Sequence, residues 1–424
     1  MTKTQVDLII KHAKQLVTAR GRGEQPAAGA EMEDLGIIED AAIAIKADQI
    51  AAVGKSAEVL DVFSSAQEID ATGRVVTPGF IDPHTHFVFA GSRESELELK
   101  IKGASYLEIL QKGGGILRTV RDTRAATKEE LLRLCRERGR RLLLHGTTTI
   151  EAKSGYGLTL QDEIKSLEVI REIGAEGLLT IVPTFLGAHA IPPEFQGRTH
   201  DYAITISEEW IPTIAKLKLA EFCDVFCEKG VFEIEDSRKI LEAGKRAGLR
   251  PRIHADELYP LGGAELAAEV GAVSADHLLY ASAVGIEQMK RAGVVAILLP
   301  AAPLTLMLDK YADARTMIAQ RLPVALGSDL SPSCVLENHQ LVIGLACYML
   351  KMTPAEGIMA STINAAHSLL RARDIGSLEV GKKADIVIFN VPDYRFLGYQ
   401  LGSNLVHSVL KNGRLVVNDC RLID

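Results

Sequence analysis

Residues 74–91 read RVVTPGFIDPHTHFVFAG, and the fold turns on how that stretch is read. The run VVTPGFI is apolar enough for a buried strand, and it closes on two histidines one residue apart, His84 and His86. An imidazole is costly at the end of a core strand unless something uses it. Along a strand, residues i and i+2 share a face about 6.5–7 Å apart, so both rings point the same way. The pattern of the chain also changes here, which makes the stretch a boundary as well as a candidate site.

Upstream, the chain reads as short strands with turn signals. VDLIIKHAKQLVT (6–18), AAIAIKADQIAAVG (41–54) and AQEIDATGRVVTPG (66–79) flank a Gly- and Glu-containing loop around 20–36. Such spacing predicts a small sheet rather than βαβ units. Downstream, strand-like runs alternate with amphipathic helical runs, the mark of a parallel α/β fold. Eight such strands can be counted: RVVTPGFID, TTTIEAKS, LLTIVPTFLGA, CDVFCEKG, PRIHADE, VSADHL, VVAILLP and PVALGSD. KEELLRLCRERGRRLLLH (128–145) and EDSRKILEAGKRAG (235–248) are among the helical stretches between them. Eight strand–helix units over about 290 residues predict a (β/α)8 TIM-like barrel. The tail returns to the opening style, with GSLEVGKKADIVIFN (376–390) and HSVLKNGRLVV (407–417) strand-like around an Asn412–Gly413 turn. The expected architecture is α/β: a barrel over 77–374, inserted into a smaller β-sandwich domain built from 1–76 and 375–424.

Bulk properties narrow the function. The 424 residues are 47% hydrophobic and 24% charged, ample for a core of this size. A net charge of -7 argues against nucleic-acid and anionic-membrane surfaces, which need clustered Lys and Arg. The longest apolar run, GVVAILLPAAPLTLML, has 16 residues cut by Pro300 and Pro303, short of a membrane span. The N-terminal apolar stretch is too short and too interrupted for a secretory signal. Six cysteines make no disulfide framework, and Cys223 and Cys227, spaced C-x3-C on a strand, read as small buried hydrophobes. A cytoplasmic protein acting on a small molecule is expected.

Active sites of such barrels sit at the C-terminal ends of the strands. Of eleven histidines, His84, His86, His189, His254 and His277 fall at or just past such an end, as does Asp329 in ALGSD. Five strands would therefore deliver these groups to one mouth. His84 and His86 can lean onto one ion at ~2.0–2.1 Å, with His254 and Asp329 completing a set that leaves room for a water. An isolated H-x-H would read as two surface or hydrogen-bonded histidines; the other strand-end residues make a metal the better reading. Glu257, three residues after His254, can take a proton from a water whose pKa an ion has lowered, where alone it would be a surface helix-start residue. His277 can polarise a carbonyl or hold the nucleophile. His145, His200, His339, His367 and His407 are placed on helices or loops and given no chemistry. Glu228 and Lys229, which a second metal would need as bridging groups, read as structural.

PGFIDPHTHFVFAG, HADE and ALGSD together resemble the metal-dependent amidohydrolase superfamily, and GSLEVGKKADIVIFN resembles the segment by which members return to the small β domain. HTHFVFAGSRESE, GGGILRTVRDTRAAT, EAKSGYGL, LGAHAIP and DVFCEKGVF are similar to the imidazolonepropionase branch. The resemblance implies hydrolysis of the cyclic amide of 4-imidazolone-5-propanoate to N-formimidoyl-L-glutamate, the third step of histidine degradation. It implies one divalent or trivalent ion, zinc or iron, on His84, His86, His254 and Asp329. It also implies substrate contacts from Arg93, Tyr156, His189 and Glu257, catalytic roles for Glu257, His277 and Asp329, and a homodimer. The planar fork of Arg93 suits a propionate, although alone it would read as a salt bridge to Glu94 or Glu96. One departure stands out: after the strand-eight aspartate the family commonly has Asn-Pro-Gly followed by Ser or Thr. Here DLSPSC puts Ser331, Ser333 and Cys334 at those places. The neighbouring reading is a ring aminohydrolase of the same superfamily, releasing ammonia.

Overall fold

The computed structural model describes residues 3–20, 25–104, 108–109 and 113–423; residues 21–24 of the expected 20–36 loop lie outside the described residues. The β-rich opening forms β1 (Leu8–Val17), β2 (Ile37–Lys46) and β3 (Gln49–Lys55), an antiparallel meander. A short helix, Ser56–Val62, follows where only strands were expected.

The opening stretch is two strands rather than one. β4 (Val75–Pro78) belongs to the terminal sheet, and β5 (Phe80–Asp82) is the first strand of the barrel. Gly79 is the joint. A Cβ there would lie 2.3 Å from Thr148 Oγ1, so the turn from one sheet into the other admits no side chain.

The remaining barrel strands fall where the alternation predicts: β6 (Thr147–Lys153), β7 (Thr180–Ala188), β8 (Phe222–Cys227), β9 (Arg250–Ala255), β10 (Ser274–His277), β11 (Val295–Leu298) and β12 (Val324–Leu326). Each pairs in parallel with the next, giving an eight-stranded sheet among the described residues. The ends of that sheet meet at the mouth. Thr85 bridges Leu330 in parallel, and the His86 N–H donates to the Leu330 carbonyl at 2.8 Å. The helix Lys128–Leu144 shows why the connections hold. Thr127 caps its first turn reciprocally with Glu130, and Leu131, Cys135, Leu142 and Leu143 recur on one buried face. Losing such a cap costs about 1 kcal/mol.

Alternation along the strands sorts side chains to the two faces of the sheet. Outward residues such as Ile150, Cys223, Ile253 and Leu298 pack under the helices, which confirms Cys223 and Cys227 as core residues. The barrel interior is layered. At the N-terminal ends, Ile81, Val182, Phe222, Val295, Ile297 and Ala325 form an apolar plug. Above it come Glu151, Lys153, Asp224, Arg252 and Asp276, all fully buried. The histidines lie above these charges.

At the chain's end, β13 (Ile386–Phe389), β14 (Val406–Lys411) and β15 (Arg414–Asn418) join β4, β1–β3 and the short strands Glu68–Asp70 and Arg421–Leu422 in a nine-stranded sheet among the described residues. One face closes around Ile10, Ile43, Ile50, Val76, Ile386 and Leu410. The tail stretch 376–390 contributes only its last part as strand. Residues 381–384 instead send their N–H groups to Ile50, Glu379, Asp374 and Asp48. His407 lies on β14 rather than on a helix or loop. No helix among the described residues is long and apolar enough to cross a membrane.

Candidate active site and metal centre

His84 and His86 follow β5, His189 follows β7, His254 is on β9, His277 ends β10 and Asp329 lies just past β12. They converge. His86 Nε2 lies 3.5 Å from Asp329 Oδ1, His84 Nε2 lies 3.7 Å from the same oxygen, and His254 Nε2 lies 3.4 Å from His86 Nε2. One cavity is lined by His86, Arg93, Tyr156, His189, His254, Glu257, His277, Asp329, Ser331 and Ser333. His84 is fully buried behind that wall.

The outer ring nitrogens explain the inward ones. His84 Nδ1 is 2.6 Å from Asp276 Oδ2, and His254 Nδ1 is 3.1 Å from Asp224 Oδ1. A carboxylate accepts only from a protonated nitrogen, so Nδ1 carries a proton in each ring and Nε2 is the atom that faces the cluster. Burial pushes the His84 and His86 imidazoles well below the usual histidine range, helped by the Lys153 charge at His84 and by His189 at His86. Both are neutral bases. His84 Nε2 is buried and has no hydrogen-bond partner among the described residues.

Two triads fit a cation: His84, His86 and Asp329, and His84, His254 and His277. Within each, the ligand atoms lie within 4.8 Å of one another. Imidazole nitrogens with a carboxylate oxygen suit zinc or iron. His277, expected as a catalytic group, thus also lies within ligand range.

Glu257 sits across the cavity, with its Oε1 3.6 Å from His277 Nδ1. Burial first, then the Asp329 and Glu228 charges, raise its carboxyl well above the usual range. Burial likewise pushes Asp329 up to about 7 against the opposing influence of His254. His277 and Asp329 adopt left-handed backbone, φ 75° and 55°, as strained residues at functional sites do. Glu228 accepts from the Lys229 and Leu258 N–H groups and so ties down the loop carrying Glu257.

Arg93 is buried, and its Nε donates to Glu96 Oε2 at 2.9 Å. Its Nη2 has no hydrogen-bond partner among the described residues. Glu96 therefore holds the guanidinium by one edge and leaves the other for a ligand. His189 stacks on His86 with centroids 4.7 Å apart. Its Nδ1 is 3.0 Å from the Gly155 carbonyl, and burial, aided by the His254 charge, holds it down at about 3. The Tyr156 ring lies 5.1 Å from that of His189. Ser331 and Ser333 hydroxyls lie 3.1 Å apart on the wall, while Cys334 is buried with its thiol pushed up by burial and directed at the Ser328 carbonyl.

The charged layer below these groups was not anticipated. Its signal was present: Lys153, Asp224 and Asp276 each interrupt an apolar run that a parallel barrel buries on both faces. A charge in such a place must have partners.

A model of the amidohydrolase family matches residues 102–416, and a second amidohydrolase model matches 67–112. The chain belongs to the amidohydrolase family. Among its relatives, an imidazolonepropionase of Brevibacillus brevis is 51% identical over 418 residues, covering 97% of this chain and 98% of that one. An imidazolonepropionase of Shouchella clausii is 49% identical over 422 residues, covering 98% and 94%. Solved amidohydrolase-like folds include an adenosine deaminase from Xanthomonas campestris with bound zinc, with TM-score 0.72 at 18% identity, covering 100% of this chain and 95% of that one. A triazine hydrolase variant has TM-score 0.73 at 17% identity, covering 98% and 96%. These two share the architecture of this family member.

Proposed function

We propose that this protein hydrolyses the ring amide of 4-imidazolone-5-propanoate to N-formimidoyl-L-glutamate, in histidine degradation. Near-half identity to imidazolonepropionases along almost the whole chain carries the reading. The site is consistent with it: a cluster of imidazole rings stands beside a buried arginine whose Nη2 has no hydrogen-bond partner among the described residues.

His84, His86, His254 and Asp329 would hold one zinc or iron ion. When bound, such an ion acidifies water and draws electron density from a carbonyl oxygen. Arg93 pairs with the propionate through Nη2, and the planar fork fixes the direction of the tail. Tyr156 and His189 close one side of the ring site. Glu257 accepts a proton as the water oxygen attacks the ring carbonyl carbon. His277 steadies the oxygen that gains charge. The carbon–nitrogen bond then breaks as Glu257, directly or by way of Asp329, passes that proton to the departing ring nitrogen. The barrel, expected over 77–374 and entered at Gly79, forms the catalytic unit in this reading, with 1–78 and 375–424 as the second domain, in a cytoplasmic homodimer.

The test is loss of imidazolone ultraviolet absorbance on adding the protein, with mass-spectrometric detection of N-formimidoyl-glutamate. Release of ammonia without that product would instead support a ring aminohydrolase.

A further inference from the structure

Lys153 belongs to no part of this chemistry, yet it lies at the centre of the buried charges beneath it. It ends β6 and is fully buried. Its Nζ lies 2.8 Å from Asp224 Oδ2, 2.9 Å from Glu151 Oε1 and 4.0 Å from Asp276 Oδ2. Asp224 and Asp276 are the carboxylates that face the outer nitrogens of His254 and His84. One ammonium thus stands between the supports of two histidines that come from different strands. Glu151 anchors it from the same strand and also accepts from the Thr85 N–H at 3.2 Å, between His84 and His86. Asp276 has two further supports, Arg252 Nη2 at 3.4 Å from Oδ2 and the Ser274 hydroxyl, which donates to Oδ1 at 2.8 Å, so Lys153 is the group it shares with Asp224. Without Lys153, Arg252 would face Glu151, Asp224 and Asp276 as the one cation of this layer among the described residues.

We propose that Lys153 is a positioning residue for the metal centre: its ammonium holds Asp224 and Asp276 so that His254 and His84 both present Nε2 to the same ion. This rests on the metal reading of the site above. Lys153 touches neither substrate nor ion. It sets the orientation of two ligands at once, through a carboxylate in each case. Outer partners of metal-bound histidines commonly govern affinity by about 10–100-fold, and here two such partners share one support.

The experiment measures zinc affinity by chelator competition, together with the rise in Tm on adding zinc, in the full chain. Lys153→Met keeps the length and removes the charge. Lys411→Met is the control, because Lys411 is also buried and pairs with Asp385 at 2.5 Å in the terminal sheet. Lys153→Met is expected to bind zinc at least about tenfold more weakly and to lose most of the zinc-induced rise in Tm. Its KM should stay near that of the parent when zinc is saturating. Lys411→Met is expected to lower Tm without zinc but to keep the full zinc-induced rise. Equal zinc affinity in Lys153→Met and the parent overturns the proposal, and so does equal weakening in both variants. If Lys153→Met does not fold, Glu151→Gln decides: a two- to threefold weaker zinc affinity supports the proposal and an unchanged affinity overturns it. A parent chain that binds no zinc would overturn the metal reading itself, a different result from any of these.

Discussion

The two ends of the barrel interior are built from one set of strands and opposite chemistry. At the lower end, Ile81, Val182, Phe222, Val295, Ile297 and Ala325 fill the space with hydrocarbon. At the upper end β6, β8, β9 and β10 bury Lys153, Asp224, Arg252 and Asp276, and five buried histidines lie above them. Hydrocarbon in a close-packed core stabilises by excluding water, and any void is felt at once. Buried charges bring little net stability even when well paired. Labour is divided along one axis: the lower end keeps the barrel closed, and the upper end gives up stability to align polar groups at the mouth.

Substitutions at the two ends should separate folding from turnover. The largest effect is expected from His84→Ala, which removes the donor common to both candidate triads. Turnover should fall about 10⁴-fold, near 5.5 kcal/mol of barrier, with metal content lost, as elemental analysis of the purified variant would read. Ile297→Ala, at the lower end, should cost about 3 kcal/mol of stability in a denaturant titration while the folded fraction keeps its kcat. A matching loss of kcat would break the comparison. Glu257→Gln should cut turnover by about 10²-fold or more and leave metal content unchanged. An active Gln variant would remove Glu257 from proton transfer. The smallest effect is expected from Arg93→Lys, which keeps the charge and loses the fork. KM should rise about tenfold with little change in kcat, since the tail contact is made equally in ground and transition states.

The barrel was legible because each parallel strand is buried on both faces and so reads as an apolar run between helices. His84, His86, His254 and Asp329 were legible because strand ends are where a barrel exposes chemistry. Lys153, Asp224 and Asp276 were harder. Each lies within or at the end of a strand, and a single charge there looks the same in sequence whether it faces solvent or buried partners. The pairing joins residues far apart in the chain, as with His84 and Asp276, and no local pattern records it. Glu96 shows the same limit on a shorter scale. Its spacing from Arg93 allowed a solvated surface pair, and burial turned that pair into the clamp holding Arg93 in the cavity. The split of the opening stretch depended on Gly79 lying against Thr148, a contact between two strands. The 376–385 segment carried strand-like residues, but its N–H groups found partners at Thr18, at Asp48 and Ile50 beside the β2–β3 turn, and in the chain just before it.

In the proposed reading, groups from distant strands share one ion at the mouth of the barrel. Titrating metal-stripped protein with zinc by calorimetry, in parallel with His84→Ala, tests it most directly. Saturable binding of one ion per chain is expected in the parent and none in the variant. Equal binding in both, or no saturable binding in either, would contradict it.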